Sequence, residues 1–168
     1  MAKKIKIIRL THFGLDSKIM KKHIEWKLYR EEPIDPADPL GEIVITGERR
    51  TIELKTIFLD TFLEALIEGL NTLKNKSVAK IDLIDEPIKL IFVKENSGIS
   101  IHYGDLSATI FNIKKFENEL SVVVSEFLDI LDKASERMRK EKYDFIELRE
   151  FIKQTRSKTA FRIKYDRK

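Results

Sequence analysis

Residues 41–73, GEIVITGERRTIELKTIFLDTFLEALIEGLNTL, and residues 98–131, GISIHYGDLSATIFNIKKFENELSVVVSEFLDIL, run through the same order of strand, glycine-acid turn, strand and amphipathic helix. With Phe58 aligned on Phe116, residues Phe62, Leu66, Leu70 and Leu73 fall on Leu120, Val124, Leu128 and Leu131. Steps of three and four put each set on one helical face. Upstream, Ile43 and Ile45 alternate with other positions as Ile99 and Ile101 do, which is the period of a strand. Thr51-Ile52 matches Thr109-Ile110 at the same offset, and Gly47-Glu48 matches Gly104-Asp105 after a one-residue slip of the kind a turn tolerates. The middle of the chain therefore reads as two hairpin-helix units. It is a weak internal duplication, because shared physics produces this pattern without shared descent, and two copies are too few for a solenoid.

Working outward, Lys4–Leu10 alternates like a strand, and residues 16–25 read as a helix capped by Asp16 or Ser17, with Ile19, Met20, His23 and Ile24 on one face. Trp26–Arg30 is expected to open a strand, and Pro33, Pro36 and Pro39 then mark an exposed loop. Ala79–Asp85 and Ile88–Lys94 are two more strands, the second the most apolar of the chain. The second unit's helix begins near Phe116 and runs toward Met138, and a further helix is expected from about Tyr143 to Thr155. Phe161, Ile163 and Tyr165 alternate with Arg162, Lys164 and Asp166, which reads as a short terminal strand. The expected fold is α+β: an antiparallel sheet built from the two pseudo-repeats, long helices on one face, a C-terminal helix and a terminal strand. One domain over 1–168 is expected, with units at about 41–73 and 98–131 and a basic extension at about 133–168. Leu59, Leu63, Ala65 and Ile67 lie outside the main stripe of their helix, so either the monomer buries both sides or a homodimer does.

The 168 residues carry a formal charge of +4 and no cysteine. Disulfides, thiolate metal sites and cysteine nucleophiles are thereby excluded, and a cytoplasmic location is the natural expectation. The apolar run after the basic start is broken by Lys6 and Arg9, so neither export nor membrane insertion is expected. The net charge hides a division. Residues 1–30 hold nine Lys or Arg against two acids and residues 133–168 hold thirteen against six, leaving −10 for residues 31–132. Basic ends flank an acidic body, and their folding back onto it is the simplest use of such a pattern.

No motif of a known catalytic class is present: the six glycines form no phosphate-binding loop, and there is neither a nucleophile elbow nor a zincin helix. His12, His23 and His102 lack paired-ligand spacing and are expected as polar surface histidines, although His102 could meet Asp105 across its turn. Asp82, Asp85 and Glu86 form an acidic patch beside Pro87, without the glycine and spaced ligands of a calcium loop. If residues 136–156 are one helix, Arg139, Lys142, Arg149, Lys153 and Arg156 fall within an arc of about 100°. With Arg162 and Lys164 they make a basic stripe suited to phosphates. No enzyme activity and no cofactor are expected. Two function classes follow: an interaction protein whose acidic body binds a basic protein partner, as an inhibitor or immunity-type factor does, or a nucleic-acid-binding protein using the C-terminal stripe. An enzyme with an unfamiliar site is the third.

Overall fold

Alternation of apolar and polar residues along the hairpins builds seven strands in the computed structural model, which describes residues 22–29, 34–84, 86–138 and 144–165, with side chains as far as Ser157. In chain order they are β1 (Ile24–Leu28), β2 (Leu40–Thr46), β3 (Thr51–Phe58), helix α1 (Leu59–Thr72), β4 (Val78–Asp82), β5 (Lys89–Glu95), β6 (Gly98–Tyr103), β7 (Leu106–Ile110), and helices α2 (Ile113–Met138) and α3 (Ile146–Tyr165). The expected strand at 4–10 and most of the helix expected over 16–25 lie outside the described residues.

The strands form two antiparallel sheets, ordered β1-β2-β3 and β4-β5-β6-β7, where the sequence suggested one. Alternation specifies which face of a strand is buried, and it leaves open which hairpins share a sheet. The sheets meet at the turn between β2 and β3. Glu48 donates its backbone N–H to the Thr109 carbonyl at 2.9 Å, and its carboxylate accepts the Phe111 N–H at 3.2 Å. Gly47 permits this approach, since a Cβ there would run into the backbone of Thr109.

Helix α1 packs against β2 and β3 on one side and β4 and β5 on another, with α3 alongside. Leu59, Leu63, Ala65 and Ile67, the positions outside its main stripe, are all buried within the single chain, so their apolarity needs no second copy. Gly69 is the point of closest approach to β5: a side chain there would collide with the Phe92 ring. Phe58 is corrected from a core helical residue to the last residue of β3, 36% exposed, while Phe62, Leu66, Leu70 and Leu73 are buried as expected. Phe116, Leu120, Val124, Leu128 and Leu131 are buried in α2, which ends at Met138.

The two units do share the order hairpin then helix. Their surroundings differ: α1 lies between the sheets, whereas α2 packs on β1 and α3. A duplication by descent is not shown by that order. Thr56 also breaks the likeness, because a register shift opposite Gly41 and Glu42 leaves it as an extra residue in β3 with φ of 55°. The Tyr29 hydroxyl accepts its N–H at 3.2 Å and donates to Glu42 Oε1 at 3.1 Å, holding a conformation that a β-branched residue rarely adopts.

Three local expectations are overturned. Ile24 and Glu25 belong to β1 and not to a helix. Residues 136–156 are not one helix, because Asp144 and Phe145 are non-helical between α2 and α3. Residues 161–165 continue α3 and form no strand. A helix nucleated at Ile146 extends cheaply through good formers such as Arg162 and Lys164, and three alternating apolar residues are too short a signal to oppose it.

Candidate interaction site

The predicted basic stripe is divided by the break before α3. Arg139 and Lys142 lie outside the described residues, as do the side chains of Arg162 and Lys164, although both of these belong to α3. Arg149 is held by Asp132 of α2 through two hydrogen bonds, 2.8 Å and 3.4 Å, so this guanidinium is spent within the fold. Arg156 donates to Ser125 Oγ at 3.4 Å, and Lys153 is exposed. The basic end thus folds back on the acidic body at one well-made pair.

The acidic patch is dispersed in a similar way. Asp82 pairs with Lys89 at 2.7 Å, Glu86 accepts the Tyr103 hydroxyl at 3.1 Å, and Asp85 is outside the described residues. Burial, followed by that bond to Glu86, holds the Tyr103 phenol above its usual range. Among the described residues no group of three His, Asp or Glu is arranged to hold a metal ion. His102 makes no hydrogen bond or ion pair with Asp105 among them, and His12 is outside them.

His23 departs from its expected place at the surface. It is 5% exposed, its Nδ1 lies 3.0 Å from the Thr46 carbonyl, and its ring stands edge-on to Phe116. The sequence could not reveal this, because the element that covers it is α2. From that helix, Glu119 Oε2 accepts the backbone N–H groups of His23, at 2.5 Å, and Ile24, at 3.2 Å. Its other oxygen faces Lys115 Nζ at 3.7 Å.

Beyond Glu119 the outer edge of β1 and the flank of α2 draw apart into an open groove of about 640 Å³. Spacings of four, three and four put Lys115, Glu119, Val122 and Glu126 along one side of α2, which forms one wall. Ile24, Glu25 and Trp26 of β1 form the other, with Lys22 at its mouth. Trp26 is half-buried, its indole edge-on to Phe127 at 6.0 Å, whereas Val122 is 57% exposed. Among the described residues Glu25 and Glu126 have no ion-pair or hydrogen-bond partner. The groove therefore offers an apolar strip with Glu126 on its helical wall, Glu25 on the outer face of β1, and Lys22 and Lys115 also in its lining. Trp26 and Val122 were not singled out by the sequence reading, since a tryptophan on an edge strand and a valine on a helix carry no motif.

A second carboxylate group lies on the other side of α1. Burial, then Glu147 of α3 and then Asp60 one turn away, push the Glu64 carboxyl up to about 7. Burial also raises Asp60, whose Oδ1 is buried with no hydrogen-bond partner. These groups load negative charge onto the contact between α1 and α3.

No protein-family model, no curated protein and no solved structure matches this chain. Among the described residues no helix is long and apolar enough to cross a membrane.

Proposed function

We propose that this is a non-enzymatic interaction protein, of the inhibitor or immunity type, that binds a basic protein partner. The observation that carries the reading is the groove between β1 and α2, where Trp26 and Val122 lie beside Glu126, whose carboxylate has no partner among the described residues, with the Glu25 carboxylate on the outer face of β1. A half-buried aromatic and an exposed aliphatic side chain supply contact area, and the carboxylates select positive charge and speed encounter. The surplus of acids in residues 31–132 extends the same field. The lack of a catalytic motif in the sequence is what favours recognition over chemistry.

Nucleic-acid binding by α3 is the second reading, supported by the continuation of that helix through Arg162 and Lys164. The chain's one tryptophan is Trp26, so its emission reports the groove directly. Titration with a Lys-Ile-Lys-Ile-Lys peptide is expected to shift that emission, with the effect lost in Glu25→Lys, Glu126→Lys protein. Duplex DNA should leave it unchanged. Binding of DNA that is steep in salt and abolished by reversing Arg149, Lys153 and Arg156 to Glu, with no response to the peptide, overturns the proposal in favour of the second reading.

A further inference from the structure

Resting on that reading, we infer that the groove takes its basic partner as an extended segment hydrogen-bonded along β1, which becomes an inner strand of a four-stranded sheet. Backbone direction comes first. Tyr29 donates its N–H to the Leu40 carbonyl and Thr46 donates to the His23 carbonyl, so the odd-numbered residues of this stretch turn their backbone groups toward β2. With strand period two, the even-numbered residues Ile24, Trp26 and Leu28 turn theirs outward. The Ile24 N–H is taken by Glu119, as is that of His23 at the start of the strand, which leaves Trp26 and Leu28 as the outward donors. Among the described residues, β1 is the edge of its sheet, and the Trp26 and Leu28 N–H groups have no acceptor.

The second observation is the position of α2. This helix reaches the sheet through β1, with Phe127 under Trp26, and yet carries Val122 on its groove side at 57% exposure. A strand placed one inter-strand spacing, about 4.8 Å, beyond β1 lies over that side of α2 and covers Val122. Side chains of such a strand alternate between the two faces. One set meets Val122 and Trp26, and the other lies in line with Glu25 and Lys27, which face away from α2 on β1. Glu126 stands at the far end of the helical wall. The segment that fits is therefore extended and alternating, aliphatic on the inner face and with Lys or Arg opposite Glu25 on the outer. A wall made by α2 admits one chain of this kind more readily than a second folded copy with its own helix. Main-chain bonds supply the affinity in such strand addition, and the alternate side chains supply the selection.

Amide hydrogen exchange on the full-length protein tests this, with the Lys-Ile-Lys-Ile-Lys peptide and two versions of it N-methylated at alternate residues. The expected result is that the parent peptide slows exchange at Trp26 and Leu28 by about tenfold or more while Glu25 and Lys27 are unchanged, and that one methylated version fails to bind. If both methylated versions bind as well as the parent and shift Trp26 emission, recognition is through side chains alone: the strand is overturned and the basic-partner reading stands. If no peptide shifts the emission, the reading itself fails. Should Trp26 and Leu28 be protected before any peptide is added, the partner is overturned as occupant. Protection lost in Ile5→Asp, Ile7→Asp protein then assigns the edge to the chain's own first residues, and protection that rises with protein concentration assigns it to a second copy.

Discussion

Helices α1 and α2 each follow a hairpin and carry an apolar stripe at the same spacing, yet α1 is covered on both sides and α2 on one. In α1 the apolar positions spread round the helix, since Leu59, Leu63, Ala65 and Ile67 are as buried as Phe62 and Leu66, and two sheets and α3 cover all but the polar line of Thr61, Glu64, Glu68 and Asn71. In α2 the buried positions hold to one broad stripe, and beside it runs the line of Lys115, Glu119, Val122 and Glu126 that borders the groove. A helix with most of its surface buried is committed to stability. One with a free flank has side chains to spare for a partner.

The comparison is broken most directly in α1. Phe62 is 2% exposed and edge-on to Tyr103, so Phe62→Asp places an unpaired carboxylate in the core and should abolish folding, read as loss of the thermal transition and of recoverable protein. Gly69→Ala comes next. It sets a methyl group against the Phe92 ring, and the strain of overpacking should cost about 1–3 kcal/mol in denaturant unfolding. An unchanged midpoint would show that α1 and β5 have room between them.

Glu64 tests the only partly polar side of α1. Its folded-state pKa of about 7 lies above the ordinary 4.5, so the folded state binds the proton more tightly than the unfolded one. Its stabilising effect is full below pH 4.5 and is lost as pH rises through 7. Glu64→Gln should flatten this decline and stabilise the protein at pH 8, by on the order of 1 kcal/mol once the screening of a half-exposed group is allowed for. Equal pH profiles for the two proteins would place Glu64 in free solvent. The smallest effect is expected on the open flank of α2: Val122→Asp should leave stability within about 0.5 kcal/mol while removing the peptide response of Trp26. A large destabilisation there would mean that Val122 is covered and that α1 and α2 are less different than described.

Much of this contrast was written in the sequence, and its limits are physical. Local periodicity marked the hairpins of β2-β3 and β6-β7, the stripes of α1 and α2 and the reach of α2 as far as Met138, because each is set by neighbours within a few positions. What depended on distant partners was not legible. The burial of His23 follows from Glu119 and Phe116, and the division into two sheets follows from how Glu48 meets Thr109. The basic stripe failed as a single surface for another reason. Helical phase carries across residues 136–156 only if the helix is unbroken, and Asp144 and Phe145 interrupt it. Arg149, counted as a phosphate ligand, instead closes on Asp132, the folded-back pairing that the charge division had suggested.

The bonds from Glu119 to the start of β1 join residues up to 96 positions apart, and that separation has a kinetic meaning. Hairpins and helices close short loops and form early; bringing α2 against β1 closes a loop of 96 residues, at a larger entropic cost. The groove is accordingly incomplete until α2 has formed against β1. During synthesis β1 emerges long before α2 exists to wall it, so an edge strand bearing Trp26 waits uncovered, and folding at low protein concentration is where the chain should best escape pairing with its neighbours.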